Sequence, residues 1–461
     1  MKGLFLVEPA VALYAFANML AYPLLQQYIY RRLWQQLTNS TYPATDETSR
    51  CNSSNANLTS DHEDVQKAAS MFSLYVELSG MIPSLVVTLI LVAYSDHRGR
   101  KMTILLPVIG SLIYSITFLC VSFFNLDIYM LVAANVLSSL FGGFGTFLGG
   151  CFSYVADLCQ DGKKKTLRMA GVDMVLGFLS GVASLLTGYF LRAAGFNWPF
   201  FVTTLFHCIN ILYIIFILEE TVQVSILGSQ ERPTQSPFNH LLYGIYQLFV
   251  ESSRKTIAVL VLLLSTFTIY CFANMGATFM FTLYELNEPL CWSEVLIGYG
   301  STLSTMVFLS SFAGVYCFSR CLPEIAIVLI GLLSVMAGNA MAAFSKTTLL
   351  IFLVRIPLLL AIMPAPVLRS MMSKIVPKSK QGALFACVAF LESLSSSAAS
   401  AVFNSIYAAT VTWFSGFCFL VASILCLIPM ILMGAVFVVG VEETKATEGL
   451  IAGEETDMQD D

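Results

Sequence analysis

Apolar runs long enough to cross a lipid bilayer recur along nearly the whole chain. A transmembrane helix needs about 20 predominantly apolar residues, and a chain inside a bilayer satisfies its backbone polar groups by forming helices. Twelve such runs lie at 5–26, 70–92, 103–123, 128–154, 169–190, 199–218, 257–280, 296–317, 325–344, 348–372, 383–407 and 413–440. We therefore expect an all-α membrane protein with twelve transmembrane helices.

Composition limits the classes of function. Hydrophobic residues make up 57% of the 461 residues and charged residues 11%, which excludes a soluble domain with a charged surface. The basic residues form no extended face, so nucleic acid is not expected as a partner. The 4 histidines show no metal-ligand spacing, and the sequence carries no nucleophile motif. We expect neither a metal site nor an enzyme.

The loops between the runs differ in charge, and this difference predicts an orientation. With both termini in the cytosol, most loop lysines and arginines face the cytosol, as the positive-inside rule requires. N-glycosylation signals at Asn39, Asn52 and Asn57 then lie in a luminal loop after the first run. The first run could instead be a cleaved signal peptide, but Glu8 and the lack of a small-residue cleavage site favour a retained helix.

A polar stretch at 219–256 separates the first six runs from the last six. It opens with Glu219 and Glu220 and contains Pro233 and Pro237, which is typical of a connector. Two six-helix repeats joined in this way can rock about a site near the middle of the bilayer. The predicted organisation is a six-helix half at 1–218 with a luminal loop at 27–69, a cytosolic linker at 219–256, a second six-helix half at 257–440 and an acidic cytosolic tail at 441–461.

Three acids lie inside apolar runs, where an ionised side chain costs about 2.5 kcal/mol or more. They are Glu77 in the second run, Asp173 in the fifth and Glu392 in the eleventh. An apolar environment favours the neutral form of a carboxyl group, so an acidic compartment can protonate such a residue. We interpret all three as candidate proton-coupling residues. The alternative is that a partner on another helix neutralises them.

Arg369 is a cation inside the tenth run and follows Pro364 and Pro366. Prolines free backbone groups and loosen a transmembrane helix, which is tolerated where the helix lines a cavity. An arginine at such a place can bind an anion through two parallel hydrogen bonds. Arg369 is therefore a candidate for binding an anionic substrate. Pairing with Glu392 or another acid is the alternative.

A charged turn, Asp96-His97-Arg98-Gly99-Arg100-Lys101, connects the second and third runs. An acid facing a positive helix terminus, together with an arginine bound to a neighbouring helix, can form a breakable latch on the cytosolic side. We expect Asp96, Arg100 and Asp157 to act in gating. For Asp157, a purely structural salt bridge to Arg100 or Arg168 is the alternative.

Other charged residues are interpreted as having no part in transport. Glu8, near the start of the first run, is expected to be structural. Glu285 and Glu288 lie close to the luminal surface and are expected to be solvated. Arg355 lies near the end of its run, from which its side chain can reach water.

The turn at 96–101 resembles the signature loop of the major facilitator superfamily, with Val92 where a glycine is usual. Along nearly its whole length the chain resembles solute carrier family 46, which includes proton-coupled folate carriers and a lysosomal branch. Glu77, Asp173 and Glu392 are more similar to the lysosomal branch. The segments that carry the resemblance are Val7-Glu8-Pro9, Leu283-Tyr284-Glu285-Leu286, Pro289-Leu290-Cys291-Trp292, Ile297-Gly298-Tyr299-Gly300, Arg369 with Ser373-Lys374, and Gln381-Gly382-Ala383-Leu384-Phe385.

The resemblance implies a major facilitator fold of two six-helix halves. It also implies a proton-coupled symporter that exports organic anions, such as steroid conjugates or bile acids, from the lysosome to the cytosol without a cofactor. By resemblance, Asp173 couples the proton, Arg369 binds the anion and Asp157 matches an aspartate of the fourth helix. Asn274 takes the place of a titratable histidine in the substrate region. A plasma-membrane folate-type carrier and a non-transporting scaffold or receptor are the alternatives.

The resemblance also bears on the loops and the tail. The predicted topology puts Cys51 and Cys291 on the oxidising side, and the folate carriers have cysteines at both positions, so we expect a disulfide between them. Leu450 and Ile451 resemble an endolysosomal sorting signal. We therefore expect the lysosomal membrane, with the plasma membrane as the alternative. The expected partners are a small organic anion, membrane lipid and sorting adaptors.

Overall fold

The computed structural model describes residues 6–38, 56–159, 162–221, 254–286, 290, 292, 294–410 and 413–439. These residues form helices joined by short turns, and no strand occurs among them. Ten helical spans within them are long and apolar enough to cross a membrane. The helices are α1 (Glu8–Thr38), α2 (Ala56–Arg98), α3 (Arg100–Phe124), α4 (Tyr129–Ser139), α5 (Phe144–Leu158), α6 (Gly162–Ala194), α7 (Asn197–Phe216), α8 (Arg254–Leu286), α9 (Glu294–Phe318), α10 (Glu324–Ala343), α11 (Thr348–Val354), α12 (Pro364–Ile375), α13 (Gln381–Thr410) and α14 (Phe417–Leu425), with a further helix over 427–439.

Several helices continue beyond the apolar run that predicts them. α1 extends to Thr38 and α2 begins at Ala56, so much of the loop expected at 27–69 is helical. Asn57 lies in the first turn of α2, well before the membrane span of that helix at Tyr75–Val92. An apolar run ends where side chains become polar, whereas the backbone hydrogen bonds of a helix can continue past the hydrocarbon layer. α8 likewise begins at Arg254, inside the stretch expected to be linker.

Two of the apolar runs are each divided into two helices. Gly142, with a φ of 92°, lies between α4 and α5, and glycine takes this left-handed conformation without a steric penalty. The tenth run consists of α11, a 3₁₀ turn at Pro357–Leu360, and α12. α12 begins at Pro364, because proline fits the first position of a helix, where its missing N–H has no partner to lose.

Side chains of neighbouring helices bond the carbonyl groups that this break exposes. The Tyr270 hydroxyl of α8 donates to the Ala361 carbonyl oxygen at 2.8 Å. Ser310 and Ser311 of α9 donate to the Leu359 carbonyl oxygen at 2.6 and 3.0 Å. Such bonds replace those of a continuous helix within a membrane. The broken segment is therefore held by α8 and α9, and it fixes where α12 begins.

The buried apolar side chains form clusters that follow the order of the helices. Two clusters, which include Phe147 and Phe118, lie mainly among α1 to α7, and one of them also contains Phe385 and Ala386 of α13. A third, which includes Phe267 and Phe403, lies mainly in the helices from α8 onwards and also contains Ala170 of α6. The two sets of helices meet where α13 packs on α2 and α5, and where α6 packs on α9 and α12. We call the contact between α6 and α12 the α6/α12 seam.

The turns define two ends of the helical bundle. The Gly99 end holds the turn at Gly99, the end of α5 at Leu158, the start of α6 at Gly162 and the turn at Lys378–Lys380. The opposite end, the Gly195 end, holds the turns at Asn125 and Gly195. The orientation predicted from the sequence assigns the Gly99 end to the cytosol.

Candidate functional site

A single buried guanidinium joins three helices where the two sets of helices meet. Arg369 of α12 is 2% exposed. Its Nη1 donates to Asp173 Oδ2 and Oδ1 of α6 at 2.9 and 3.2 Å. Its Nη2 donates to both carboxylate oxygens of Glu392 of α13 at 2.8 Å. We call these three residues the Arg369 triad.

Two aromatic rings enclose the guanidinium of the triad. The Arg369 Cζ lies 4.3 Å from the ring centroid of Phe152 of α5 and 5.2 Å from that of Phe267 of α8. A cation above the face of an aromatic ring is attracted by the ring's negative quadrupole. Arg369 Nε is buried and has no hydrogen-bond partner among the described residues. The guanidinium is therefore held by side chains from both sets of helices, and one of its donors is unused by the protein.

The charges of the triad do not balance when both acids are ionised. One guanidinium and two carboxylates then give a net charge of −1, and one bound proton brings the cluster to zero. Uncompensated charge is costly in a buried site, so the arrangement favours the uptake of one proton. A protonated carboxyl group attracts Arg369 less strongly than a carboxylate does, which frees guanidinium donors for another anion. The site can therefore exchange a bound acid for a bound anion.

The space beside Asp173 is small. A cavity of about 10 Å³ is lined by Asp173, Phe308, Ser311, Phe312 and Pro366, among others. Such a volume holds about one water molecule. A ligand with several rings does not fit beside the triad until α6 moves away from α9 or α12.

The structure brings together three of the five residues predicted for proton coupling and substrate binding: Asp173, Glu392 and Arg369. Glu77 is exposed on α2 and makes no ion pair with the triad among the described residues. Asn274 is buried on α8, and none of its hydrogen bonds in the described part of the chain reaches the triad. The sequence left open that Arg369 pairs with an acid rather than with a substrate. In this conformation Arg369 pairs with two acids, Asp173 and Glu392.

The charged turn at 96–101 forms a second cluster at the Gly99 end. Arg100 is 1% exposed, its Nε lies 2.9 Å from Asp157 Oδ2, and its Nη1 donates to Ser95 Oγ at 2.7 Å. Asp96 lies in the last turn of α2, and its side chain lies outside the described part. Asp157 therefore forms the structural salt bridge that was considered as its alternative role, and its partner is Arg100. Arg168, the other partner considered, pairs instead with Glu8 at 2.9 Å.

Glu220 also belongs to this second cluster, and its place there was not predicted from the sequence. Its carboxylate accepts from the backbone N–H groups of Arg100 and Lys101 at 2.7 and 3.1 Å, where an anion stabilises the positive end of α3. Gly99 has a φ of 109°, and a Cβ there would lie 2.3 Å from a Glu220 carboxylate oxygen. The glycine of the turn therefore allows Glu220 to approach. We call Arg100, Asp157 and Glu220 the Arg100 cluster. The sequence signal for it was the acidic pair after the sixth run, next to a basic turn.

The interpretation of Glu285 and Arg355 as separate, solvated residues is wrong. Glu285 of α8 is 2% exposed, and Arg355 Nη2, just after α11, lies 3.1 Å from its Oε1. The Arg355 Cζ also lies 4.4 Å from the centroid of the Phe281 ring. The two residues neutralise each other because the break in the tenth run brings the end of α11 against α8. Glu288 lies outside the described residues.

Several predicted loop features also lie outside the described residues. They include Cys51, Cys291, Asn39, Asn52 and the tail pair at 450–451. The side chain of Asn57 is likewise not described. The cysteines that are described are free.

Comparison with known proteins identifies the family. The pattern of the Major Facilitator Superfamily matches residues 9–400. The chain belongs to this superfamily. It is 48% identical to the Gallus gallus protein named lysosomal proton-coupled steroid conjugate and bile acid symporter SLC46A3, over 93% of both chains. It is 34% identical to the proton-coupled folate transporter of Rattus norvegicus, over 93% of this chain and 91% of that one.

Solved structures agree on the fold. The crystal structure of the human organic anion transporter MFSD10 has a TM-score of 0.68 and 17% identity, covering 94% of this chain and 99% of that chain. The predicted major facilitator fold and the resemblance to solute carrier family 46 are confirmed. The relatives are named as transporters, which also confirms a multi-pass transporter rather than an enzyme.

Proposed function

We propose that this protein is a proton-coupled symporter that moves organic anions from the lysosome lumen to the cytosol. The observation that carries the proposal is the Arg369 triad, in which one cation binds two acids at the meeting of both sets of helices. The relatives in family 46 are named as symporters of steroid conjugates and bile acids, and we infer the same substrate class for this chain. No cofactor is required, because the proton gradient drives transport.

In the proposed cycle, a proton from the acidic lumen binds Asp173 or Glu392 and brings the triad to zero charge. Binding of a monovalent carboxylate or sulfate to Arg369 then returns the site to a net charge of −1, which is no more than the triad carries before protonation. The halves rock, the Gly99 end opens, and a near-neutral cytosol removes the proton. The returning acid competes with the anion for Arg369, and the anion leaves.

The energetics are sufficient for accumulation. A difference of two pH units corresponds to about 2.7 kcal/mol per proton, at about 1.36 kcal/mol per unit. Electroneutral cotransport of one proton with one monovalent anion can therefore sustain a gradient of about a hundredfold. The triad fits this ratio, because one proton offsets the charge of one bound anion.

Asp96, Arg100 and Asp157 are proposed to control opening at the Gly99 end. Arg100 and Asp157 pair within the first set of helices, so their bond need not break when the halves separate. Asp96 at the end of α2 is the candidate for a contact that does break. Glu77 is proposed as an accessory protonation site on the luminal side of α2.

We further propose that Cys51 and Cys291 form a disulfide and that Asn39, Asn52 and Asn57 carry glycans in the lumen. Closing so long a loop stabilises by several kcal/mol in the chain-entropy model. Proteolysis without reductant, followed by mass spectrometry, should recover one peptide pair that joins the loops. Two free thiols would refute the bond. Enzymatic removal of glycans should lower the apparent mass if the orientation is right.

The lysosomal location rests on the relatives and on the tail pair Leu450–Ile451, which we propose binds sorting adaptors. Replacing both residues by alanine should move the protein to the plasma membrane. Unchanged lysosomal staining would remove this pair from the proposal.

A folate-type carrier is the second candidate function, supported by the 34% identity to the proton-coupled folate transporter. Asn274 opposes it, because this side chain cannot titrate where the folate carriers have a histidine. Competition between a folate and a steroid sulfate for the same uptake separates the two candidates.

The function is tested by uptake into proteoliposomes that contain the full chain. A labelled steroid sulfate is offered at pH 5 outside with pH 7 inside, and again at pH 7 on both sides. We expect accumulation only with the gradient. Uptake in neither condition, over a panel of organic anions, would favour the non-transporting scaffold or receptor.

A further inference from the structure

Lys165 is a buried cation at the Gly99 end of the α6/α12 seam. It belongs to the first turn of α6 and is 8% exposed, whereas its neighbours Lys163 and Lys164 are exposed. Its Nζ donates to Ser373 Oγ of α12 at 3.1 Å. No carboxylate lies within ion-pair distance of this ammonium in the described part of the chain. A hydroxyl compensates a buried charge poorly.

The charged groups around Lys165 do not supply a counter-ion. Lys374 and Lys378 are the nearby cations, and Asp157 is the nearby acid. The Asp157 carboxylate already binds Arg100 at 2.9 Å. Lys374 pairs with Glu324 of α10. Among the described residues, the positive charge of Lys165 therefore has no carboxylate partner of its own.

Hydroxyl groups surround the path from Arg369 to Lys165. Thr166 Oγ1 lies 2.6 Å from Ser370 Oγ across the seam, and Ser370 follows Arg369 directly on α12. Ser373 lies four residues after Arg369, about 6 Å along the helix axis. Lys165 lies eight residues before Asp173, about 12 Å along α6. From the triad to the Gly99 end, the seam therefore presents first an arginine, then hydroxyls, then a lysine.

We propose that Lys165 is a second anion-binding residue, which receives the carboxylate or sulfate of the substrate after it leaves Arg369. When the seam opens, the ammonium and the hydroxyls of Thr166, Ser370 and Ser373 face the gap between α6 and α12. In the closed seam the Thr166 hydroxyl donates to Glu324 Oε1 at 2.8 Å and the Ser373 hydroxyl to Gln381 Oε1 at 2.7 Å. Both hydroxyls can rotate to donate to an oxyanion once the seam opens. This inference rests on the proposed function and deepens it, because it assigns the release step on the Gly99 side.

The bonds that the protein makes to Arg369 and to Lys165 favour transfer of an anion from the first residue to the second. At Arg369 an anion competes with two carboxylates. The Lys165 ammonium donates only to a serine hydroxyl among the described residues, and the Glu324 carboxylate, which accepts from the adjacent Thr166, is paired with Lys374. Hydrogen bonds to charged groups are stronger than those between neutral groups. An oxyanion therefore replaces Ser373 as the partner of Lys165 with a net gain, while return to Arg369 is opposed once its acids are ionised.

The test is an exchange assay in proteoliposomes that contain the full chain, with labelled steroid sulfate on the acidic side. Unlabelled steroid sulfate is varied on the neutral side, and the half-saturating concentration is measured on each side. Replacing Lys165 by Gln should raise this concentration about tenfold on the neutral side, or about 1.4 kcal/mol, with little change on the acidic side. Lys165→Arg should stay within about twofold of the wild type. Lys164→Gln, one residue away and exposed, is the matched control and should change neither side.

The variant Ser373→Ala distinguishes two roles of Lys165: binding the anion, and only holding the seam closed through its hydrogen bond to Ser373. It removes the hydrogen bond of Lys165 in the closed seam but keeps the charge, so it should not reproduce the tenfold rise. Lys165→Met, which avoids an uncompensated buried charge altogether, should reproduce it. The inference is overturned if Lys165→Gln and Lys165→Met match Lys164→Gln, or if Ser373→Ala has the same one-sided effect. A wild-type protein that exchanges no anion at all would instead refute the proposed function on which the inference rests.

Discussion

The Arg369 triad and the Arg100 cluster are each built around a buried, ion-paired arginine, yet they differ in which helices they join. The triad connects α6 with α12 and α13, so it crosses between the two sets of helices. The Arg100 cluster connects α3 with α5 and the segment after α7, all within the first set. Rocking of the halves must change the first network and can leave the second intact. We therefore expect the buried charges of the triad to act in coupling, and those of the Arg100 cluster to stabilise the turn from which Asp96 acts in gating.

The largest expected effect comes from removing the cation of the triad. Arg369→Gln leaves Asp173 and Glu392 without a counter-ion and removes the proposed ligand of the substrate. Transport should fall at least a hundredfold at every pH. Arg369→Lys, which keeps the charge but loses the two-pronged geometry, should retain measurable binding. Initial uptake rates, normalised to folded protein, check this prediction. Near-normal uptake by Arg369→Gln would place the anion site elsewhere.

Removing the corresponding arginine of the Arg100 cluster should lower the stability of the protein. Arg100→Gln breaks a buried ion pair and should lower the free energy of unfolding by about 3–5 kcal/mol. Transport per folded molecule should change less than tenfold, and its dependence on pH should stay that of the wild type. Thermal unfolding in detergent and uptake assays measure the two quantities. If the pH dependence shifts, the Arg100 cluster takes part in coupling and the contrast fails.

Arg355→Gln extends the comparison to a third buried pair. Arg355 and Glu285 lie within the second set of helices, so we again expect lower stability without loss of proton-driven accumulation. The uncharged replacement of both residues, Arg355→Met with Glu285→Gln, should recover much of that stability, because no uncompensated charge remains. Thermal unfolding of the single and double variants decides the point. An equal loss in both variants would argue against a simple ion pair.

The smallest effect is expected from the helix cap. Glu220→Gln keeps the size of the side chain but removes the charge that faces the positive end of α3. Stability should fall by about 0.3–1 kcal/mol, with transport unchanged. Gly99→Ala should cost more, since alanine is strained at a φ of 109° and its Cβ would contact the Glu220 carboxylate. Thermal unfolding checks this prediction: the midpoint of Gly99→Ala should lie below that of Glu220→Gln.

The sequence was sufficient for the fold because the length of an apolar run fixes a transmembrane helix almost by itself. It also singled out Asp173, Glu392 and Arg369, since a charge inside such a run is costly and therefore conspicuous. Their mutual pairing could not be predicted from the sequence, because it depends on how α6, α12 and α13 pack across the two halves. Glu285 was misinterpreted for the same reason: its partner Arg355 lies 70 residues away and reaches it through the break in the tenth run.

The central claim is that Asp173 couples proton movement to anion movement. Asp173→Asn, with the exposed Asp127→Asn as control, is compared in two assays in proteoliposomes: exchange of labelled for unlabelled steroid sulfate at equal pH, and accumulation driven by a pH gradient. Asparagine resembles the protonated acid in charge. The account predicts that Asp173→Asn retains exchange but loses the accumulation of about a hundredfold that two pH units can sustain. Normal accumulation with normal pH dependence in Asp173→Asn would contradict it.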